Sequence, residues 1–463
     1  EGDLYFNRLP KEYSDMLRVN TVGLGSGKLK ILLLRDGLYR IYYDSLQHVA
    51  DFPLEIIQST TLQLSLKNEQ QPIHVFDHGD GQFDSGDYFD FIGKQNYFSG
   101  ESQHYDPFTD INVYWLDWGG SNGLRFVEES GALLGANPVR PNTFWDTVHI
   151  EEDNDFERLG QVDTDEPSIT RDHYFWTSVN SGATREVDFD LADPFRGSSE
   201  NVEISVGLHG LTYSQTAGDV AGHTLYAILN DNSIGSATWT QQEEYVLTSP
   251  SALNLSHNIL AQNGSNRLGI FAPVSTEPGN YDKIVLNWIE IGYEHLLVAH
   301  EDALRFRKSF INPATNLEFE INNFSSHDLV IYKEGLSKIT GFTIRENWEA
   351  SLPKYSLVFQ DQVSEATPDY WASGVESLFQ PVKMVMDTSA SLRDLDGDFI
   401  IITIPAYVEG LEAYIAFKQN EGWNPVSVSI ADIYDEFNYG INSPFAIKSF
   451  LRYANNYWPS HPE

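Results

Sequence analysis

Between residues 185 and 297 the chain repeats one pattern, a short alternating apolar run followed by a break at Gly, Asn, Asp or Pro. The runs are "DFDLAD", "NVEISVGLHGL", "HTLYAILNDNSIGSATW", "NRLGIFAP" and "DKIVLNWIEIGYEHLL". Alternation with period two marks strands with one buried face, and many short strands at regular spacing assemble into a two-sheet sandwich or jelly roll. This cadence constrains the fold more than any other feature. Earlier, "LKILLLRDGLYRIYYDSL" (Leu29–Leu46) sets two runs around Asp36-Gly37, which predicts a hairpin. Strand texture returns from Asn316 to Val385 in "LEFEINNF", "DLVIYKE", "SLVFQD" and "PVKMVMD".

After residue 395 the texture changes. "DFIIITIP" (Asp398–Pro405) is continuously apolar, the pattern of a strand buried on both faces. "VEGLEAYIAFKQNEG" reads as a helix, with Leu411, Tyr414, Ile415 and Lys418 at helical spacing and Gly422 as its stop. "VSVSI" is a second short strand, and Pro444–Trp458 a second helix with Pro in its first turn. The expected class is a mainly β multidomain protein, β domains plus a jelly-roll β-sandwich, with a short C-terminal α/β fragment. The corresponding segments are a flexible lead-in (1–25), an N-terminal β domain (26–145), the sandwich (146–308), a second β domain (309–395) and the α/β start of a further domain (396–463). Residues 26–145 and 309–395 share a texture, consistent with neighbouring or shared β domains and the sandwich inserted between them.

At 463 residues the chain is too long for one core. Its 29 Lys and Arg against 67 Asp and Glu give a formal charge of −38. That excess repels phosphate backbones and anionic membranes, so nucleic acid is not an expected partner. It fits an exported protein whose surface attracts cations, Ca²⁺ among them. There is no cysteine, which removes disulfides, zinc–thiolate sites and a thiolate nucleophile from this chain. No run of about 18 apolar residues exists to make a transmembrane helix. The opening "EGDLYFNRLP" lacks the basic-then-apolar order of a signal peptide, so an exported form would be a processed one.

"DIYDEFNYGINSPFAIKSFLRYANNYW" (Asp432–Trp458), preceded by "DFIIITIP" and "GWNPVSVSIADI", resembles the start of the catalytic domain in the gingipain family of cysteine peptidases. That family includes the sortase-like peptidase of type IX secretion. "DGLYRIYYDSL", "GDGQFDSGDYFDFIG", "INVYWLDWG" and "DHYFWTSVNSG" are similar to motifs in the long N-terminal region of sortase-like members. The resemblance implies an exported, cell-surface or secreted protein whose partners are its own catalytic half and secretion-system or surface proteins. It also implies that the catalytic His and Cys belong to a caspase-like half downstream of the repeat seen here. No residue of this chain matches them, so no catalytic role is carried over. A parallel strand needs a further strand after its crossover helix; the expectation is that the remainder of the domain follows Glu463.

Several acidic stretches invite a site. "FDHGDGQFDSGDYFDF" (Phe76–Phe91) carries Asp77, Asp80, Asp84, Asp87 and Asp90 among three glycines. Hard oxygen ligands on a tightly turning backbone suit Ca²⁺, yet the EF-hand pattern fails, its twelfth position being Phe91 counted from Asp80 and Tyr88 counted from Asp77. The alternative is a turn whose Asp side chains bond the local backbone. Asp394, Asp396 and Asp398 in "RDLDGDFI" carry the same two readings. Asp432, Asp435 and Glu436 follow a parallel-type strand, where ligands gather in open α/β sheets; they either rim a site or interface, or cap the next turn. "GLGSGKLK" (Gly23–Lys30) fails as a phosphate loop because Val22 and Leu29 stand where Gly and Ser/Thr are needed. His74 and His78 fall on a strand and turn and would not share a face as helical zinc ligands do. The sandwich segment carries Trp176, Trp239 and Trp288; in the long strand, simple alternation puts Ile284, Leu286, Trp288 and Glu290 on one face, which predicts Trp288 as core.

Two functions fit. One is the non-catalytic N-terminal region of a gingipain-like cysteine endopeptidase, positioning or restraining the catalytic half or docking partners. The other is a stand-alone surface adhesin or carbohydrate-binding protein, its exposed aromatics stacking on sugar rings.

Overall fold

The computed structural model describes residues 29–462 except 54–56, 98–103, 135–136, 160–171, 214–221, 263, 275–281, 308–315, 350–351, 363–367 and 388–390. The expected lead-in and nearly all of Gly23–Lys30 lie outside the described residues. Two compact units divide the chain, one holding residues up to Glu128, Gly335–Lys338 and Leu378 onward, the other Glu129–Glu334 and Ile339–Ser377.

In the first unit, five antiparallel strands run in the order Lys383–Met386, Leu29–Leu33, Asn112–Asp117, Gln63–Leu66, Glu69–Gln71. Leu29, Ile31 and Leu33 are fully buried and point into a core with Tyr39, Ile41, Phe89 and Phe91. Gly37–Tyr42 pairs instead with Tyr88–Gly93, in a separate three-stranded sheet completed by His74–Phe76. The hairpin predicted at Asp36-Gly37 is therefore not formed; the two strands enter different sheets. Gly37 has no positive φ. A Cβ there would overlap the Phe379 ring, so this glycine serves a close approach rather than a tight turn. Backbone bonds from Phe379 N to Leu38 O (2.8 Å) and from Arg40 N to Phe379 O (3.2 Å) hold that approach.

The second unit contains a two-sheet sandwich. One sheet orders Thr143–Glu151, Lys283–Leu296, Glu203–Gly210 and Glu244–Thr248; the other orders Thr184–Asp190, Ser265–Phe271, Gly222–Leu229 and Asn232–Thr240. Val206, Leu208, Ile284 and Leu286 from the first meet Phe189, Leu225, Leu268 and Ile270 from the second, with Trp176 and Trp239 beside them. Trp288 is not in this core. Opposite Gly207 the long strand places two residues, Asn287 and Trp288, and the pairing register shifts there. Such a bulge reverses the alternation. The core-facing residues are Ile284 and Leu286 before it, then Ile289, Ile291 and Tyr293 after it. Trp288 is turned to the outer face, over Gly207 and 5.4 Å from the His149 ring. The rest of this unit packs Phe306, Phe319, Phe359 and Tyr370 between short antiparallel strands.

The C-terminal segment is α/β. Phe399–Thr403 pairs in parallel with Pro425–Ser429, joined through helix α1 (Glu412–Asn420), after which Gly422 turns at φ +95. Helices α2 (Ile430–Asn438) and α3 (Pro444–Tyr457) follow. The Phe399 strand is half-buried along its whole length, unlike the doubly buried strand its sequence predicts. Among the described residues it has a single strand neighbour. The protein is thus mainly β, built of several sheets, with this α/β segment at its C-terminal side. No helix among the described residues is long and apolar enough to cross a membrane.

Candidate functional site

The α2–α3 corner is built by local chemistry. Ser429 caps α2, its side chain accepting from Ala431 N at 3.2 Å. Tyr439 (φ 57) and Gly440 (φ 89) then leave the helix in left-handed conformations, and Gly440 N bonds Tyr434 O at 2.8 Å. Asn438 Nδ2 donates to Ile441 O at 2.7 Å. Ser443 caps α3 by accepting from Phe445 N at 3.2 Å, with Pro444 in the first turn. Behind the corner, Ile433, Ala446, Phe450, Ala454 and Trp458 form a small core with Leu392 and Val428.

The corner docks on the five-stranded sheet of the same unit. Alternation sends Leu29, Ile31 and Leu33 to the β core, so Lys30 and Leu32 project from the other face, beside Trp115 and Val113 of the neighbouring strand. Val113, Trp115 and Ile441 are buried together with Leu32 against them. Trp115 Nε1 donates to Tyr439 O at 2.8 Å. Lys30 Nζ donates to Asp435 Oδ2 at 2.6 Å and stands 5.5 Å from the Trp115 ring centre. Phe108 meets Phe445 edge-on at 6.0 Å. A Cβ on Gly440 would lie 2.9 Å from Val113 Cγ1, so the closeness of this contact itself requires glycine. The result is a pair of neighbouring strands, Leu29–Leu33 and Asn112–Asp117, covered on both faces, and a helical corner fixed by an indole hydrogen bond, an ion pair and an apolar plug.

Asp432, Asp435 and Glu436, read from sequence as a site or interface rim or as turn caps, stand in different surroundings. Asp435 is buried in the seam with Lys30. Glu436, one residue on and about 100° around the helix, turns inward, where its Oε1 accepts from Leu392 N at 2.8 Å. Burial raises the Glu436 pKa, opposed by the Leu392 hydrogen bond and by Arg393. Arg393 Nε stands 3.8 Å from its second oxygen, with the guanidinium over the Phe437 and Tyr453 rings. Asp432 sits in the first turn of α2.

The other acidic stretches are engaged locally. Asp77 accepts from Ser59 Oγ (2.6 Å) and Gly79 N (3.0 Å), and Asp80 from Gln82 N (2.8 Å). The Ser59 bond is the main cause holding the Asp77 pKa below the ordinary carboxylate value. Asp87 is buried, accepting from Asp84 N at 2.8 Å and facing His78 Nδ1 at 2.6 Å; the Asp84 backbone, rather than its carboxylate, makes that bond. Asp396 accepts from Ser460 N and Oγ, both at 2.9 Å, and Asp398 from Asn424 N at 2.6 Å, while Asp394 is exposed. Among the described residues no three His, Asp or Glu side chains are grouped so as to hold a metal ion. His74 lies beside Lys338 Nζ (3.2 Å), and burial, ahead of that charge, lowers its pKa.

Sequence reasoning missed Lys30, Trp115, Gly440 and Ile441. One signal was available: "NVYWLD" is apolar at consecutive positions, which marks a strand covered on both faces.

The segment that docks here carries a family signature: residues 393–463 match the model of Peptidase family C25, the gingipain family of cysteine peptidases. The fold around it also has a solved counterpart. Dimeric latent PorU from Porphyromonas gingivalis matches 93% of this chain and 40% of its own length, with a TM-score of 0.58 and 14% identity. The chain therefore spans less than half of PorU, and at that identity the likeness is one of fold. The CBM36-1 domain of a xylanase from the hindgut metagenome of Trinervitermes trinervoides matches 32% of this chain and 97% of its own. Its identity is 8% and its TM-score 0.19, too low to carry an argument. No curated protein sequence matches.

Proposed function

We propose that this chain is the non-catalytic N-terminal region of an exported gingipain-like cysteine endopeptidase, and that its first unit holds the start of the peptidase domain in position. The observation that carries this reading is the seam, in which Trp115 and Lys30 grip the α2–α3 corner of the family C25 segment. α2 follows directly on a parallel strand, and in open α/β sheets reacting groups gather at such strand ends. Fixing the corner fixes where those groups stand. Export and docking to a type IX secretion partner are supported by the likeness to PorU and the family resemblance. The sandwich is read as a docking module for cargo or that partner.

A parent enzyme of this family would cleave through a Cys thiolate with a neighbouring His. This chain has no cysteine, so the 463-residue protein is expected to hydrolyse no peptide; cleavage by pure material would refute the non-catalytic role. Positioning is tested by hydrogen exchange on Trp115→Ala. Amides of Ile430–Asn438 and Pro444–Tyr457 should exchange at least tenfold faster, while the sandwich strands stay as they are. Unchanged protection of α2 and α3 would remove the positioning role and leave docking alone.

A further inference from the structure

At one end of the sandwich an open cavity of about 330 Å³ is lined by Trp145, Glu200, Asn201, Glu203, Ser249 and Ser251, with Val202, Pro250 and Leu255 completing the wall. We infer that it binds the cationic side chain, lysine or arginine, of an extended polypeptide. This is independent of the seam.

The outer face of the Thr143–Glu151 strand supplies the platform. Trp145 lies against Gly292, where a Cβ would stand 2.7 Å from its Cζ2, and it also lines the cavity. A flat indole offers its negative ring face to a cation. Glu200 and Glu203 are exposed on the same cavity, and among the described residues no Lys, Arg or His lines it to neutralise them. Trp145 pairs across the strands with Glu294, whose Oε2 is buried without a hydrogen-bond partner. The local field is thus negative within a chain of formal charge −38, which concentrates cations at a concave site. A neutral sugar would use the indole but would leave the carboxylate charge unanswered.

The walls are also held before any ligand arrives. His257, fully buried, lies edge-on to Trp145 at 6.3 Å. Its Nδ1 donates to Glu200 O (3.0 Å) and its Nε2 accepts from Glu294 N (2.8 Å), the pattern of a neutral imidazole. Burial lowers its pKa and favours that form. Val202 N bonds Leu255 O at 2.8 Å, and Ser249 Oγ accepts from Ile204 N at 3.1 Å. A site whose backbone is already tied loses little freedom on binding.

The test titrates the full chain with acetyl-Gly-Lys-Gly-amide, acetyl-Gly-Arg-Gly-amide, the Gln analogue and a monosaccharide panel. The readout is the indole N–H resonance of Trp145, assigned by its loss in Trp145→Phe. The Lys and Arg peptides should move that signal saturably, at least fivefold more weakly in Glu200→Gln/Glu203→Gln and several-fold more weakly at 0.3 M than at 0.02 M salt. The Gln peptide and the sugars should leave it in place. A signal that ignores the cationic peptides, answers the Gln peptide or a sugar equally, or is indifferent to the double substitution overturns the proposal. The double substitution keeps side-chain volume, and the untouched indole spectrum of the other tryptophans reports that the fold is intact.

Discussion

Two strands of this protein are both mostly aliphatic and live in different surroundings. "LKILL" at Leu29–Leu33 is apolar except for Lys30, and "FIIIT" at Phe399–Thr403 is apolar up to its closing Thr. The first has a strand on each side, its odd positions in the β core and its even positions in the seam with α2 and α3. The second has one neighbouring strand among the described residues. Ile400 and Ile402 pack toward the core of α2 and α3, and Phe399 meets Tyr414 and Trp423 on the other side, yet every residue stays half-exposed. An apolar run therefore specifies a strand with two covered faces. How deeply it is buried depends on how many strands flank it.

That contrast can be broken most directly by truncating equivalent side chains. Ile31→Ala removes a fully buried side chain and should cost about 3–4 kcal/mol in urea unfolding of the first unit. Ile401→Ala, half-buried, should cost about 1 kcal/mol; equal losses would mean the Phe399 strand is as enclosed as the other. The seam is next. Lys30→Ala or Asp435→Ala alone leaves a largely desolvated partner charge and should cost about 2 kcal/mol. Lys30→Met with Asp435→Leu should recover most of that in a double-mutant cycle, and additive losses would show that the pair does not couple. Gly440→Ala meets both a left-handed φ and Val113, for about 1–2 kcal/mol, visible as faster exchange at the α2–α3 corner.

The smallest effect concerns pH. Burial raises the Glu436 pKa in the folded state, so the folded protein binds this proton more tightly than the unfolded chain. The favourable contribution is complete below the unfolded pKa and is lost as pH rises through the folded one. Glu436→Gln keeps an acceptor for Leu392 N and should raise the melting temperature slightly at pH 7, with the gain vanishing toward pH 4. A gain that grows on acidification would reverse the sign assigned here.

Much of the architecture was readable because side-chain alternation is local. Helix α1 ends where Gly422 stops it, and both strands of the parallel pair stand where their apolar runs lie. The failures share a physical cause. At Asp36-Gly37 the turn signal was read as a hairpin, but Gly37 exists to admit Phe379, 342 residues away in sequence. At Trp288 the alternation was carried straight through a bulge announced only by Gly207 on the partner strand. Lys30 and Asp435 meet across 405 positions, and nothing in either neighbourhood names the other. Periodicity reports the surroundings of a residue but not the identity of its distant partner. The acidic loops were legible as turns for the opposite reason, since Asp77 and Asp80 bond backbone two residues away.

The pairing of Leu29–Leu33 with Lys383–Met386 has a consequence for synthesis. The two registers lie 383 − 29 = 354 residues apart at their first positions, a delay of roughly 18–70 s at about 5–20 residues per second of translation. Throughout that interval one edge of the Leu29 strand is open, and its Lys30 face has no helical corner to cover it. Residues 129–377, which hold the whole second unit and Gly335–Lys338 of the first, emerge in between, and the second unit can fold first. The first unit is begun early and closed last, so nascent chains stalled before residue 383 should be the species that chaperones hold and aggregates collect.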